Sequence, residues 1–532
     1  MRTVLRLEND NTARAESGWI PRGRAGVFAS SYRRAANAGW KRSLLYVVIL
    51  ALILWAINSG VHSAAFVDIV KRVVTPMTLE PIAVLPAIAS IAVIRLSSVG
   101  SAIYWVYLPV LLLLPENYTW GWPPLSFHQY AIVPIGIVLC WHVVSGKWKG
   151  SVMDIAVFAF IGWMVVADFH SAGSVDLVKR IVTPLTLAVF PYMAGKLLIE
   201  QTGLRIAFAR RFVFLLFVDV LISVYEFRFG VNPFRLVLSH AFSAPSPWFT
   251  QIRYGLGRTS VPFGHAILMG AAVAIAIILH GYLMRFGLWE TRFRWLHSVP
   301  LSKRWIILFG LIAGSIMTLS RGPWLAVAAG AAIASVGAAR NRGRALKRAV
   351  TGLVLCGVLF YAVGKSYVSD PVAFHAGEEA LASAQYRTQL LDEYKDIALL
   401  RPFWGWGSLY WPRVPGMDSV DNWYLLVTLM YGVTGLVLFV TMLATAFLLL
   451  IRKGMAAADL DGERRALCFT LSGIVMAISV AIATVFLGAQ VYPLLFLFLG
   501  WSDACLMNRT VFKSAPVVAE PTHEFSFRSV LV

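Results

Sequence analysis

Apolar positions along this chain gather into runs rather than alternating. Nearly unbroken hydrophobic stretches occur at 44–58, 155–167, 212–225, 266–280, 306–319 and 425–451. About 20 apolar residues cross a bilayer core as an α-helix, and the period-two alternation of a membrane β-barrel is missing from these runs. The pattern predicts an all-α, polytopic transmembrane helical bundle of about 12–14 helices. The expected spans are 43–60, 81–96, 101–116, 128–145, 151–167, 180–198, 210–226, 261–284, 305–319, 323–339, 349–366, 422–451, 466–487 and 490–507. The runs at 81–96 and 101–115 are short enough to leave the count open.

Composition agrees with the pattern. The 532 residues are 58% hydrophobic, with a mean hydropathy of +0.70, well above soluble domains. The net charge of +20 sits mostly between the apolar runs, as a topology signal does, and so does not point to nucleic acid. Residues 1–42 read as a basic cytoplasmic tail without a cleavable signal pattern. The Arg- and Lys-rich linkers at 285–304, 340–348 and 452–465 are placed in the cytoplasm. Alternation then puts both termini inside and two long segments outside, 227–260 and 367–420. The second is expected to be a large, partly helical periplasmic loop. The organisation that follows is 1–42 tail, 43–149 N-terminal helices, 150–366 core, 367–420 loop, 421–507 C-terminal helices and 508–532 cytoplasmic tail. Cys140, Cys356, Cys468 and Cys505 are far apart and form no CxxC, so neither a disulfide framework nor a zinc site is expected.

Polar motifs interrupt the runs on the outer side. TLSRGPWLA, 318–326, breaks an apolar hairpin, with Pro323 suited to a first helical turn and Arg321 beside a helix N-terminus, a natural anion site. A tight turn with an interfacial arginine fits equally well. RYGLGRTSVPFGHA, 253–266, repeats the design: Arg253 and Arg258 precede Pro262 at an expected helix start. Guanidinium forks and backbone N–H groups there could hold a diphosphate, or the segment is only a flexible loop. AQYRTQLLDEYKDIALL, 384–400, reads as an amphipathic helix on the membrane face, with Leu391, Tyr394 and Ala398 on one stripe. Arg387 shares that stripe, either as a snorkelling side chain or as a cation over a cavity. PFWGWG, 402–407, reads as a structural turn. Asp421 or Asn422 is the expected N-cap of the helix that follows, and a carboxylate there could also serve as a general base.

Taken in order, Arg-x-x-Gly, Ser-Arg-Gly, a long outer loop ending in Pro-x-x-Gly-x-Gly, then Asn-x-Tyr-Leu and Gly-x-x-Gly-Leu resemble the O-antigen ligase and polymerase superfamily over roughly residues 150–510. These are bacterial inner-membrane glycosyltransferases that move a glycan from undecaprenyl diphosphate to an acceptor at the periplasmic face. The resemblance implies diphosphate-binding roles for Arg253 and Arg321, with Arg258 beside them, and a catalytic role for Arg387. Where the ligases carry a histidine base before Asn-x-Tyr-Leu, this chain has Asp421; Asp418, Glu378, Glu379 and His375 are rivals. Fixed cations stabilise charge developing on a leaving diphosphate, and a base opposite it takes the acceptor proton, inverting the anomeric centre. No cofactor or metal is called for: the one Asp-x-Asp, Asp459–Asp461, falls in an expected cytoplasmic linker.

A segment is written twice. HSAAFVDIVKRVVTPMTL at 62–79 and HSAGSVDLVKRIVTPLTL at 170–187 share 13 of 18 positions. Their Lys-Arg pairs, Lys71–Arg72 and Lys179–Arg180, fall on the outer side against the usual charge bias. Lys179 and Arg180, in the copy inside the family-like region, are therefore candidate diphosphate ligands, unless both pairs only anchor a duplicated unit. The expected function is polymerisation of undecaprenyl diphosphate-linked oligosaccharide onto a growing exopolysaccharide or O-antigen. The expected partners are that lipid-linked donor, an acceptor glycan, the bilayer and a chain-length or export machinery, with no nucleic acid. A ligase acting on lipid A core or protein is the near alternative, and a lipid-linked sugar flippase is the alternative of another class.

Overall fold

A computed structural model of the chain describes residues 80–171, 177–200, 203–238, 242, 249–290, 302–369, 378–417, 419–456, 462–488 and 490–507. The basic N-terminal tail, the expected span 43–60, the first copy of the duplicated segment with Lys71 and Arg72, His375, Asp418 and the Asp459–Asp461 pair lie outside them.

The described chain is an all-α bundle, and the expected spans from 81–96 onward each have a helix. They are α1 (Leu85–Leu96), α2 (Val99–Leu113), α3 (Phe127–Lys147), α4 (Val152–Ser171), α5 (Arg180–Ile199, entered through a turn that begins at Leu177) and α6 (Arg205–Phe229). After the short α7 (Pro233–Leu238) come α8 (Ala266–Arg285), α9 (Lys303–Met317), α10 (Arg321–Val336) and α11 (Arg342–Ser369). The loop helix α12 (Glu378–Leu399) precedes α13 (Trp423–Ala456), α14 (Gly462–Ile482) and α15 (Val491–Met507). Six of the described helices are long and apolar enough to cross a membrane. With no hydrophobic drive between helices in lipid, close packing needs small residues. α10 and α14 meet through them: a Cβ on Gly330 would stand 2.6 Å from the Gly473 carbonyl oxygen, and one on Gly473 would stand 2.4 Å from that of Gly330.

The C-terminal ends of α8, α13 and α15 meet the starts of α6 and α14 at one end of the bundle. There Arg205 pairs with Glu463 at 3.1 Å, Tyr282 donates to the same carboxylate at 2.8 Å, and Lys453 donates to the carbonyls of Cys505 and Leu506 at 2.6 Å. Lys196, 2% exposed, is held by Asp154 at 2.6 Å and Asp503 at 2.8 Å, so this buried cation is fully paired. The other end of α8, some 30 Å away by helical rise, carries the outer motifs.

Two expectations about these motifs change. The helix after RYGLGR does not start at Pro262: residues Val261–Phe263 form one 3-10 turn, Gly264 reverses the chain at φ 69, and α8 begins at Ala266. The long helix expected over 422–451 is broken at Gly432, which has φ 70 and ψ −179. The PFWGWG turn inserts at the break. The amides of Trp406 and Gly407 donate to the carbonyls of Leu429 and Met430 at 2.8 Å, and Val433 donates to Pro402 at 2.6 Å. The turn supplies the donors that the lost helical turn would have given, which a membrane helix requires. Only glycine fits: a Cβ on Gly432 would lie 2.2 Å from the Phe403 carbonyl oxygen.

Candidate functional site

The site is built on three turns. The first is RYGLGR. Ile252–Arg253 and Leu256–Gly257 pair antiparallel, with Arg253 opposite Leu256. The connecting Tyr254 and Gly255 both have positive φ, 56° and 73°, the backbone of a two-residue hairpin turn. The segment is therefore a formed hairpin. Its anchor is Glu226, fully buried on α6, whose carboxylate accepts the amides of Ser260 (2.8 Å) and Val261 (2.7 Å) and the hydroxyls of Ser260 (2.9 Å) and Thr250 (2.7 Å). Asn232 adds its amide to Glu226 at 3.2 Å and to the Val261 carbonyl at 2.9 Å. Neither Glu226 nor Asn232 was singled out by sequence reasoning. The available signal was a carboxylate at the end of an apolar run, which in a membrane needs an explanation.

The second turn is Thr318-Leu319-Ser320, before α10. Leu319 sits at φ 46, a conformation a leucine adopts only when its surroundings hold it there. The arginines of the hairpin do that. Arg253 donates to the Leu319 carbonyl at 3.1 Å; Arg258 donates to the Thr318 carbonyl at 3.4 Å, to the Ser320 hydroxyl at 2.6 Å and to Gln251. The Thr259 amide donates to Met317 at 3.2 Å. Arg321 then opens α10, with Pro323 in its first turn. The third turn is 419–422. Asn422 is the helix cap, its side chain accepting the amides of Tyr424 (3.0 Å) and Leu425 (3.2 Å). That frees Asp421, which accepts the Ser419 hydroxyl at 2.7 Å.

α12 lies over the third turn. Leu390, Tyr394 and Ala398 are buried against Met417, Val420 and Leu429, and the Tyr394 hydroxyl donates to the Met417 carbonyl at 3.2 Å. Leu391, expected on this stripe, is instead 49% exposed, and Leu390 takes its place. The packing carries Arg387 into the electrostatic range of Asp421, Arg253 and Arg321.

Arg253, Arg258, Arg321, Arg387 and Asp421 are thus linked into one group: Arg258 and Arg387 each interact with Asp421 and with Arg253, and Arg387 also with Arg321. Burial lowers Arg258 to about 10, with Arg253 and Arg387 pushing the same way and Asp421 opposing them. The surrounding protein also lowers Arg387; Asp421 opposes that, and Arg253 and Arg321 add to it. Among the described residues neither Arg321 nor Arg387 has a protein acceptor for its guanidinium, so ten N–H donors are uncommitted. Such an excess of like charge and free donors suits a polyanion.

The sequence comparison decides the kinship. The family model described as O-antigen ligase matches residues 305–440. Those residues belong to the O-antigen ligase family. The match runs from α9 through the Leu319 turn, α12 and Asp421 into α13, so it covers two of the three turns; the hairpin lies before it. A search of the curated proteins found no match. With its membrane-spanning helices, this is a multi-pass membrane protein that carries an O-antigen ligase-like segment over residues 305–440.

The remaining candidates lie elsewhere. Arg180 is 5% exposed and donates to the Asp168 carbonyl at 2.6 Å. The Asp168 carboxylate in turn accepts the amide (2.6 Å) and hydroxyl (3.0 Å) of Ser408, just after the PFWGWG turn. Arg180 is thus at the same end of the bundle, in a different set of contacts. The side chains of Lys179, Glu378 and Glu379 fall outside the described residues.

Proposed function

We propose that this protein is a polysaccharide polymerase: at the periplasmic face of the inner membrane it transfers a glycan from undecaprenyl diphosphate to a growing surface polysaccharide. The observation that carries the reading is the linked group of four arginines and Asp421. The arginines bind the diphosphate and stabilise the charge that develops on it as the glycosidic bond breaks. Asp421, its carboxylate fixed by Ser419, takes the proton of the acceptor hydroxyl. Attack from the side opposite the diphosphate inverts the anomeric carbon. The O-antigen ligase match supports the reaction class, and an aspartate in place of the ligases' histidine favours the polymerase over the ligase.

The test is reconstitution. Purified protein is mixed with an undecaprenyl diphosphate-linked oligosaccharide. A ladder of longer lipid-linked glycans is the expected product. Transfer only to a separate core or protein acceptor replaces the polymerase with a ligase. Labelled lipid crossing liposomes without any glycosyl transfer overturns the enzyme reading in favour of a flippase.

A further inference from the structure

Arg321 stands at the head of an apolar stripe. Of the four arginines it alone belongs to a helix of the bundle: Arg253 and Arg258 sit on the hairpin and Arg387 on the loop helix. The residues three, four and seven places on, Trp324, Leu325 and Ala328, share its face of α10, and all are exposed. α9 carries a matching stripe, Phe309, Ile312 and Ile316, exposed by 56%, 41% and 53%. The Trp324 indole donates to the Ser315 carbonyl at 2.8 Å, so the two stripes adjoin. The inner faces of both helices are taken: Gly310 and Gly314 abut Phe217 and Val220 of α6, and Gly330 abuts Gly473 of α14. The outer faces leave a seam with small side chains, Ala328 and Ala331, on its α10 side.

Exposed apolar stripes on membrane helices mark by themselves only contact with the bilayer. This seam ends on a cation of the candidate site. Arg321 lies within electrostatic range of Arg387. Its guanidinium has no protein acceptor among the described residues, so five donors stand where the seam opens. A surface that is apolar along its length and cationic at its end suits an amphiphile with an anionic head and a long chain. We propose that the α9–α10 seam is the subsite for a polyprenyl chain. The diphosphate of the lipid lies on Arg321, and its first isoprene units run along Trp324, Leu325, Ala328, Ile312 and Ile316. The assignment rests on the reading that the arginine group binds a lipid-linked diphosphate. It fixes the direction of approach: the donor enters sideways from the bilayer along α10, and the hairpin and loop helix are left to the phosphates and the glycan.

The full-length protein in nanodiscs is photolabelled with undecaprenyl diphosphate that carries a diazirine near the head of its chain and no glycan. Labels are expected on α9 and α10 around Ile316 and Leu325. Unlabelled undecaprenyl diphosphate should compete them away, and excess phospholipid should not. Ala328→Trp fills the seam from an exposed position, so Tm should stay at the wild-type value. Half-maximal labelling of that variant should need a probe concentration on the order of tenfold higher, what displacing about two methylene groups is worth. Leu221→Trp, on an exposed face of α6, is the control and should label as wild type does. Labels spread evenly over the lipid-facing helices, or competed equally by phospholipid, reduce the seam to ordinary bilayer contact and overturn the subsite. So does an Ala328→Trp protein that labels like Leu221→Trp. The two readings fail separately: specific labelling of the seam without glycan transfer sinks the polymerase and keeps the subsite. A glycan ladder with unspecific labelling keeps the polymerase and sinks the subsite.

Discussion

A single arginine at this site has one of two duties, and the contacts tell them apart. Arg321 and Arg387 have no protein acceptor among the described residues, so each is free for substrate. Arg321→Ala and Arg387→Ala are expected to lower transfer by about 10²–10³-fold, the scale for removing one preorganised charge-stabilising donor, with Tm unchanged. Arg258 also ties the hairpin to Thr318 and Ser320, so Arg258→Ala should lose both activity and Tm. Wild-type rates in all of these variants would remove the diphosphate model. Asp421→Asn is expected to cost about 10²–10⁴-fold in rate, as loss of a general base does; full activity would exclude Asp421. The pH dependence has a definite sign. Arg258, lowered to about 10, is charged through the physiological range and loses its proton earlier than an ordinary arginine. Pyrophosphate affinity should therefore fall as pH rises through about 10, a loss that Arg258→Gln should abolish.

At the scale of elements, the arginines depend on turns that have little hydrophobic support. The hairpin hangs on the Glu226 carboxylate, and removing it leaves the Ser260 and Val261 amides buried without acceptors, at about 1–3 kcal/mol each. Glu226→Ala is expected to lower Tm and abolish pyrophosphate binding together. Normal binding would show that the hairpin holds its shape without the anchor. The break in α13 is similar. Gly432→Ala puts a Cβ against the Phe403 carbonyl on a backbone only glycine adopts, which should displace the PFWGWG turn and with it the half-helix led by Asn422 and Asp421. Loss of transfer and of Tm is expected, and an active, stable Gly432→Ala protein would contradict this account of the break.

Across the whole molecule, charge divides the two ends. The linkers rich in Arg and Lys end α8, α10 and α13, while the arginine group caps the opposite ends of the same bundle. Under the charge bias that marks cytoplasmic linkers, the proposed function requires the arginine group to lie on the opposite side from them. With the native cysteines replaced, a single cysteine at Tyr254, 73% exposed at the hairpin tip, should react with a membrane-impermeant maleimide added to intact spheroplasts. One at Gly343, in the first turn of α11, should react only after lysis. Labelling in the opposite sense would invert every argument about sidedness.

The sequence by itself determined the helices, their order and the sidedness expectation, because crossing a membrane demands long apolar runs and because topology follows local charge. It also marked Arg253, Arg258, Arg321 and Asp421 at helix starts, and Arg387 on the stripe of a loop helix. Only the tertiary structure decided that these five stand together, since they come from a hairpin, a helix start, a loop helix and the turn before α13, spread over residues 253–421. Only it could choose Asn422 over Asp421 as the cap, replace Leu391 by Leu390, break α13 at Gly432, and give Glu226 its work. Each of those choices depends on which backbone amide or carbonyl lies opposite, and hydrophobic periodicity carries no record of partners distant in the chain.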